Sequence, residues 1–158
     1  MLKMSGIKIV AQNKKVFHKY FILENIESGI ELRGTEVKSI RAGKVNLKDS
    51  WCNSDGEEIF VNNMHISAYE KGNIFNSDPL RRRKLLVHKK EISRIYSSIK
   101  RQSFSLIPIS MYFKGKWIKI KIGICKGKKL YDKRATVAKR DAQRNMQRAF
   151  KENQRGTK

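Results

Sequence analysis

Four consecutive cations, Arg81, Arg82, Arg83 and Lys84, follow Asp78-Pro79 and run into Leu85-Leu86. Like charges this close repel one another by tenths of a kcal/mol per pair. A phosphate contact relieves that repulsion, so the block is a candidate phosphate-binding element; a solvated charge run ahead of a helix is the alternative. A second cationic group, Lys126, Lys128 and Lys129, leads into Tyr131-Asp132-Lys133-Arg134. Tyr131 lies in a polar stretch with no core to enter, and stacking on a nucleobase would stabilise it by about 1–3 kcal/mol. An exposed tyrosine without a partner is the alternative there. Lys38, Arg41 and Lys44, at three-residue spacing, suit a contact face and an ordinary solvated helix face equally.

Catalytic chemistry finds no comparable constellation. Hydrolysis or modification of RNA needs clustered acids for a metal ion, a histidine pair or an activated nucleophile. Glu24, Glu27 and Glu31 belong to one stretch, Asp55, Glu57 and Glu58 to a turn, and His18, His65 and His88 to three different segments. No phosphate-binding glycine loop and no Glu-x-x-His helix occurs. The chain reads as a protein without catalytic residues, metal or cofactor. Cys52 and Cys125 lack metal-ligand spacing and are expected as two buried free thiols, a single bridge between them being the alternative.

The charge balance supports a binding role. Lys and Arg number 36 against 14 Asp and Glu, a formal +22 over 158 residues, far beyond what solubility needs, so a polyanionic partner is expected. Nucleic acid is the first choice. A membrane surface is the rival, but no apolar run reaches the roughly 18 residues of a spanning helix, and no apolar leader follows the N-terminus. A soluble, cytoplasmic protein is expected.

The elements that must carry these cations are mostly strands. Ile7, Ile9 and Ala11 alternate with polar residues as in a strand or an extended arm. Tyr20 to Leu23 and Ile30 to Leu32 are short β-rich runs, with a bend or hairpin expected at Glu27-Ser28-Gly29. One short helix fits TEVKSIRAGK, between a Thr35 N-cap and a Gly43 stop. Asp55-Gly56 supplies the turn of a hairpin between VNLKDSWC and EEIFVNNMHI. Ile92, Ile95, Tyr96 and Ile99 fall at helical spacing. FSLIPISMYF and KWIKIKIGIC form a further hairpin around Lys114-Gly115, with Ile118, Ile120, Ile122 and Ile124 facing inward. Trp51, Phe60, Tyr112 and Trp117 sit in strand patterns and are read as core. Strands this closely spaced pair antiparallel, and a mainly β, OB-like closed barrel of about six strands with two to three helices is the expected fold.

Composition changes after Cys125. Residues 126–158 carry twelve Lys/Arg against three acids, a net +9, while residues 1–125 carry 24 against eleven, a net +13. The chain therefore divides into an RNA-binding body, residues 1–130, and a basic tail, residues 131–158. Too few apolar residues populate the tail to offset the roughly 1–2 kcal/mol per residue of backbone ordering, so it is expected to be disordered when free. Its propensity is nonetheless helical from Thr136 onward. Arg140, Arg144, Arg148, Lys151 and Arg155 would then form one cationic stripe, and such segments fold on RNA.

Three blocks, IELRGTEVKSIRAGKVNLKDSW, DPLRRRKLLVHKKEI and KWIKIKIGICKGKKLYDKR, resemble the SsrA-binding protein family, small protein B (SmpB). The similarity runs in order over nearly the whole chain. It implies an OB-like, non-enzymatic and monomeric partner of transfer-messenger RNA (tmRNA) in trans-translation. Such a protein brings alanyl-tmRNA, and through it elongation factor Tu, to ribosomes stalled without a stop codon. It takes the place of the missing anticodon arm and lays its tail along the empty mRNA channel against small-subunit RNA. Carried over by position, tmRNA contacts are implied at Asn13, Glu36, Lys38, Arg41, Arg81, Arg82, Arg83, Lys84, Lys126, Lys128 and Lys129. Glu36 would accept hydrogen bonds from sugar or base edges. Decoding-centre contacts are implied at Tyr131, Asp132, Lys133 and Arg134, and mRNA-channel contacts at Lys139, Arg140, Arg144, Arg148 and Lys151. A general RNA-binding or ribosome-assembly factor is the alternative function.

Overall fold

The computed structural model describes residues 6–72, 74 and 76–156; the outer ends assigned to body and tail, residues 1–5 and 157–158, lie outside them. Two long strands form the centre of the fold. β8 (Ser105–Lys114) and β9 (Trp117–Gly127) make the expected hairpin, turning at Gly115, whose φ of 62° is the left-handed conformation that glycine adopts without cost. Ile120, Ile122 and Ile124 of β9 all point inward, as period-two alternation requires.

β2 (Tyr20–Ile30) runs antiparallel along β9, from Tyr20 opposite Gly127 to Gly29 opposite Lys119. The expected bend at Glu27-Ser28-Gly29 is absent. Gly29 serves a close approach instead: a Cβ there would lie 3.2 Å from Leu86 Cβ, where β7 (Arg83–Leu86) crosses the end of β2. β4 (Trp51–Ser54) and β5 (Ile59–Asn62) form the Asp55-Gly56 hairpin, with Gly56 at φ 98°. The order β8-β4-β5-β7-β2-β9, completed by the β8–β9 pairing, makes a ring of six antiparallel strands, an OB-like β core. β1 (Ile7–Gln12) adds to the ring through β8, and β3 (Val45–Asn46) pairs with β6 (His65–Ile66) in a separate ribbon.

Four helices complete the described residues, one more than the upper expectation. The additional one is α1 (Lys14–Lys19), six residues long with Val16 alone buried, too short to show a period in the sequence. Asn13 fixes its start from inside: the side-chain amide donates to the carbonyls of Leu47 (3.3 Å) and Pro108 (3.4 Å). α2 (Gly34–Arg41) begins after Arg33, not after Thr35, because the Arg33 N–H donates to Glu36 Oε2 at 2.9 Å. α3 (Lys89–Gln102) sends Ile92 and Ile95 into the interior as its spacing predicts. α4 (Leu130–Arg155) has no buried residue.

The interior is mainly aliphatic. Ile40, Leu47, Ile59, Val61, Ile66, Leu85, Ile95, Met111, Ile120 and Ile122 are fully enclosed, each contributing about 1.5–3 kcal/mol of apolar burial. Cys52 and Cys125 are buried free thiols. Burial pushes the Cys125 thiol up to about 11 and the Cys52 thiol also upward, which leaves both inert at neutral pH. Trp51 and Trp117 differ from expectation. They are 51% and 67% exposed, because their strand neighbours Cys52 and Ile118 take the inward positions.

Candidate nucleic-acid interface

The basic block at residues 81–84 is not one surface. β7 begins at Arg83, so alternation sends Arg83 and Leu85 inward and turns Lys84 outward. Arg83 is fully buried. Its guanidinium donates to Glu36 Oε1 (2.9 Å) and to the carbonyls of Met64 (2.8 Å), Arg81 (3.0 Å) and Pro79 (3.2 Å). Arg81 binds the same carboxylate in a fork, Nη2 to Oε2 at 2.9 Å and Nε to Oε1 at 3.2 Å, and keeps a quarter of its side chain in solvent. Lys84 reaches Glu58 at 2.6 Å. Among the described residues Arg82 alone of the four makes no ion pair, and its guanidinium lies 3.7 Å over the Phe60 ring.

Three implied contacts therefore need correction. Arg83 cannot meet a phosphate, since every donor it offers is spent inside the protein. Glu36 is 5% exposed, and its oxygens receive the Arg33 N–H, Arg81 and Arg83. It is the counter-charge that draws α2 onto β7, not a free acceptor for sugar or base edges. Burial acts to raise the Glu36 pKa, but the hydrogen bonds of Arg81, Arg33 and Arg83 outweigh it and hold the carboxyl below its ordinary value. Asn13 is likewise buried, 6% exposed, and spends its amide on backbone. Its contribution is the placement of α1.

What this clamp leaves outside is a cationic face. Lys38 and Arg41 of α2 and Arg82 are exposed. Lys38 Nζ stands 5.2 Å from the centre of the Tyr69 ring, which with Arg33 and Lys71 lines a shallow depression beside α2. Phe60 and Tyr69, each holding a cation in place, are the contributors that strand-pattern reading missed. For Phe60 the signal was alternation within β5, where Ile59 and Val61 point inward.

The second cationic group divides in the same way. Lys126 and Lys129 are exposed. Lys128 is a strut: its Nζ donates to the Phe17 carbonyl (3.0 Å) and Thr136 Oγ1 (2.8 Å) and lies 4.9 Å from the Phe21 ring centre. The first two turns of α4 are thereby tied to α1. Asp132 accepts the Lys129 N–H at 3.3 Å and closes the helix start, where a carboxylate also suits the helix dipole. Tyr131 is 67% exposed. Lys133 is half-buried, Arg134 exposed, and Lys139, Arg140, Arg144, Arg148 and Lys151 all exposed along the helix. No group of three or more His, Cys, Asp or Glu that could hold a metal ion exists among the described residues.

A closed OB-like core that sets its cations outward on a buried carboxylate clamp, and carries a 26-residue basic helix with nothing buried, has the build of a polyanion-binding protein. The family model described as SmpB protein matches residues 10–152. The SsrA-binding protein of Caldanaerobacter subterraneus subsp. tengcongensis is 55% identical over 150 residues, 95% of either chain. That of Acetivibrio thermocellus is 58% identical over 146 residues, 92% of this chain and 95% of the relative. A solved chain described as "tmRNA-SmpB: a journey to the center of the bacterial ribosome" superposes with a TM-score of 0.63 and 42% identity, over 75% of this chain and 84% of that one. The chain belongs to the SmpB family.

Proposed function

We propose that this protein binds the tRNA-like domain of tmRNA through its body and delivers alanyl-tmRNA to the A site of stalled ribosomes. The body stands in for the missing anticodon arm, and α4 enters the empty mRNA channel. Translation then resumes on the RNA's own frame and the incomplete product is tagged. Elongation factor Tu takes part only through alanyl-tmRNA. Membership of the SmpB family supplies the RNA, and one observation supports the division of labour. The two cationic surfaces lie on different elements: Lys38 and Arg41 on α2 with Arg82 just ahead of β7, the arginine stripe on a helix with no buried residue.

In this reading the body holds RNA by phosphate contacts and orientation, without chemistry. Tyr131, Asp132, Lys133 and Arg134, at the root of α4, meet the decoding centre. Beyond Val137 the described residues of the helix are all exposed, so little tertiary packing stabilises it and it becomes persistent only where phosphates surround it. A chain ending at Leu130 tests the division directly. It should bind the tRNA-like domain within about threefold of the full chain and support no tagging of stalled products in a reconstituted translation system. Loss of tmRNA binding on truncation would sink it.

A further inference from the structure

A cleft of about 680 Å³ opens beside the ring, between α1, β4 and α3, and of its lining residues Asn13 alone was implied as an RNA contact. Its size lies within the roughly 300–1,000 Å³ of pockets that hold small ligands. Trp51 lines it while half exposed. Tyr96 lines it from α3, its ring edge packed on the hairpin turn, where a Cβ on Gly56 would lie 3.6 Å from Tyr96 Cδ1. Lys100 holds that tyrosine from the next turn, 5.3 Å from the ring centre and 3.4 Å from the hydroxyl. Lys15, Lys19 and Lys100 line the cleft with a single carboxylate, Asp49.

We infer that this cleft takes one unpaired nucleotide of an RNA chain, its base stacked on Trp51 and its phosphates among Lys15, Lys19 and Lys100. The inference rests on the RNA-binding reading above and extends it to a second site. Aromatic surface in a cationic groove is the arrangement that holds single-stranded RNA, because every base has a π-face. Three polar groups of the lining are already engaged: Ser50 with the Leu47 carbonyl, Asn53 with Asn62, and Ser54 with the Gly56 N–H. Few remain to read a base edge, so the site stacks bases with little sequence preference. A duplex keeps its bases paired and cannot offer one to a cleft of this size.

The test uses the intact chain carrying Trp117→Phe, in which Trp51 is the single tryptophan and is excited apart from the tyrosines. A hexa-adenylate should quench Trp51 saturably. A duplex RNA with the same number of phosphates at equal ionic strength should not, nor should free AMP at the same nucleotide concentration. Trp51→Leu should weaken hexamer binding about 5- to 150-fold, the effect of one lost stack, and Lys100→Gln should lower the log–log salt slope by about 0.7. A silent Trp51, equal quenching by duplex or by AMP, or hexamer binding unchanged by Trp51→Leu overturns the inference. Binding of the tRNA-like domain, measured alongside, separates the two ideas. If it persists while Trp51 stays silent, only the cleft is wrong; if no RNA binds, both readings fall.

Discussion

Arg83 and Glu36 form an ion pair of 2.8 Å in which the arginine side chain is fully buried and the carboxylate 5% exposed. A pair so enclosed is costly to break from one side, since the remaining charge is stranded in the interior; removal of one partner typically costs about 3–5 kcal/mol. Arg83→Met should therefore lower unfolding free energy by about that much in urea titrations, and Arg82→Ala, one residue away on the exposed side, by less than about 1 kcal/mol. Equal effects of the two substitutions would contradict the inward assignment of Arg83.

The same carboxylate gives a pH signature. Its pKa in the folded protein lies below the unfolded-state value of 4.5, so the unfolded chain binds the proton first. The stability it contributes is complete above about pH 4.5 and is lost as pH falls through the lowered folded value. Glu36→Gln should flatten part of the acid limb of the stability curve while lowering the plateau. Glu27, whose pKa is also lowered, chiefly by the Tyr112 hydrogen bond and further by Lys114, should leave a residual slope. An acid limb unaltered by Glu36→Gln would show that the group is not charged inside the fold.

Most of this architecture was legible because alternation and turn chemistry are local. The isoleucines of β9 and the Asp55-Gly56 and Lys114-Gly115 turns announce two hairpins, and Ile92, Ile95 and Ile99 announce α3. The failures have one cause, the absence of tertiary partners from a linear pattern. Ser28-Gly29 looks like a turn until β7 is laid across it. Arg83 looks like a phosphate ligand until β7 is known to start there, which sends it inward beside Leu85. Glu36 looks like an acceptor for RNA until its partners Arg81 and Arg83 are in place, and its work is to tie α2 to β7. Phe60, which holds Arg82, carries no mark in the sequence beyond its place between Ile59 and Val61.

Arg82 on Phe60 yields a prediction about positioning. The ring confines a guanidinium that would otherwise sweep a wide arc, and an exposed cation–π contact is worth about 0.5–1 kcal/mol. Phe60→Leu should thus weaken binding of the tRNA-like domain about two- to fivefold, with Tm nearly unchanged, and should have no further effect once Arg82 is alanine. Substituting Lys38, Arg41 or Arg82 singly by alanine should reduce the log–log salt slope by about 0.7–0.9 each. A slope that stays fixed in all three would remove this face from the interface.

The root of α4 and its remainder should respond differently to mutation. Lys128 binds Phe17 of α1 and Thr136 of α4 at once, so Lys128→Ala should loosen the first two helical turns and lower far-ultraviolet helicity. Among the described residues beyond Val137 all are exposed, and Arg140→Glu with Arg144→Glu removes no internal contact. The second change even sets a carboxylate four residues before Arg148, an arrangement that supports a helix by a few tenths of a kcal/mol. The double variant should keep the Tm of the parent within a degree or two, bind the tRNA-like domain normally through the body, and still fail in tagging, because in the proposed placement of α4 two phosphate contacts become two repulsions. Restored tagging at high salt would fit simple charge repulsion, since screening shortens its reach to about 3 Å at 1 M. A large drop in Tm would instead mean that this part of the helix packs on the body. Normal tagging would mean that the arginine stripe is not what the ribosome receives.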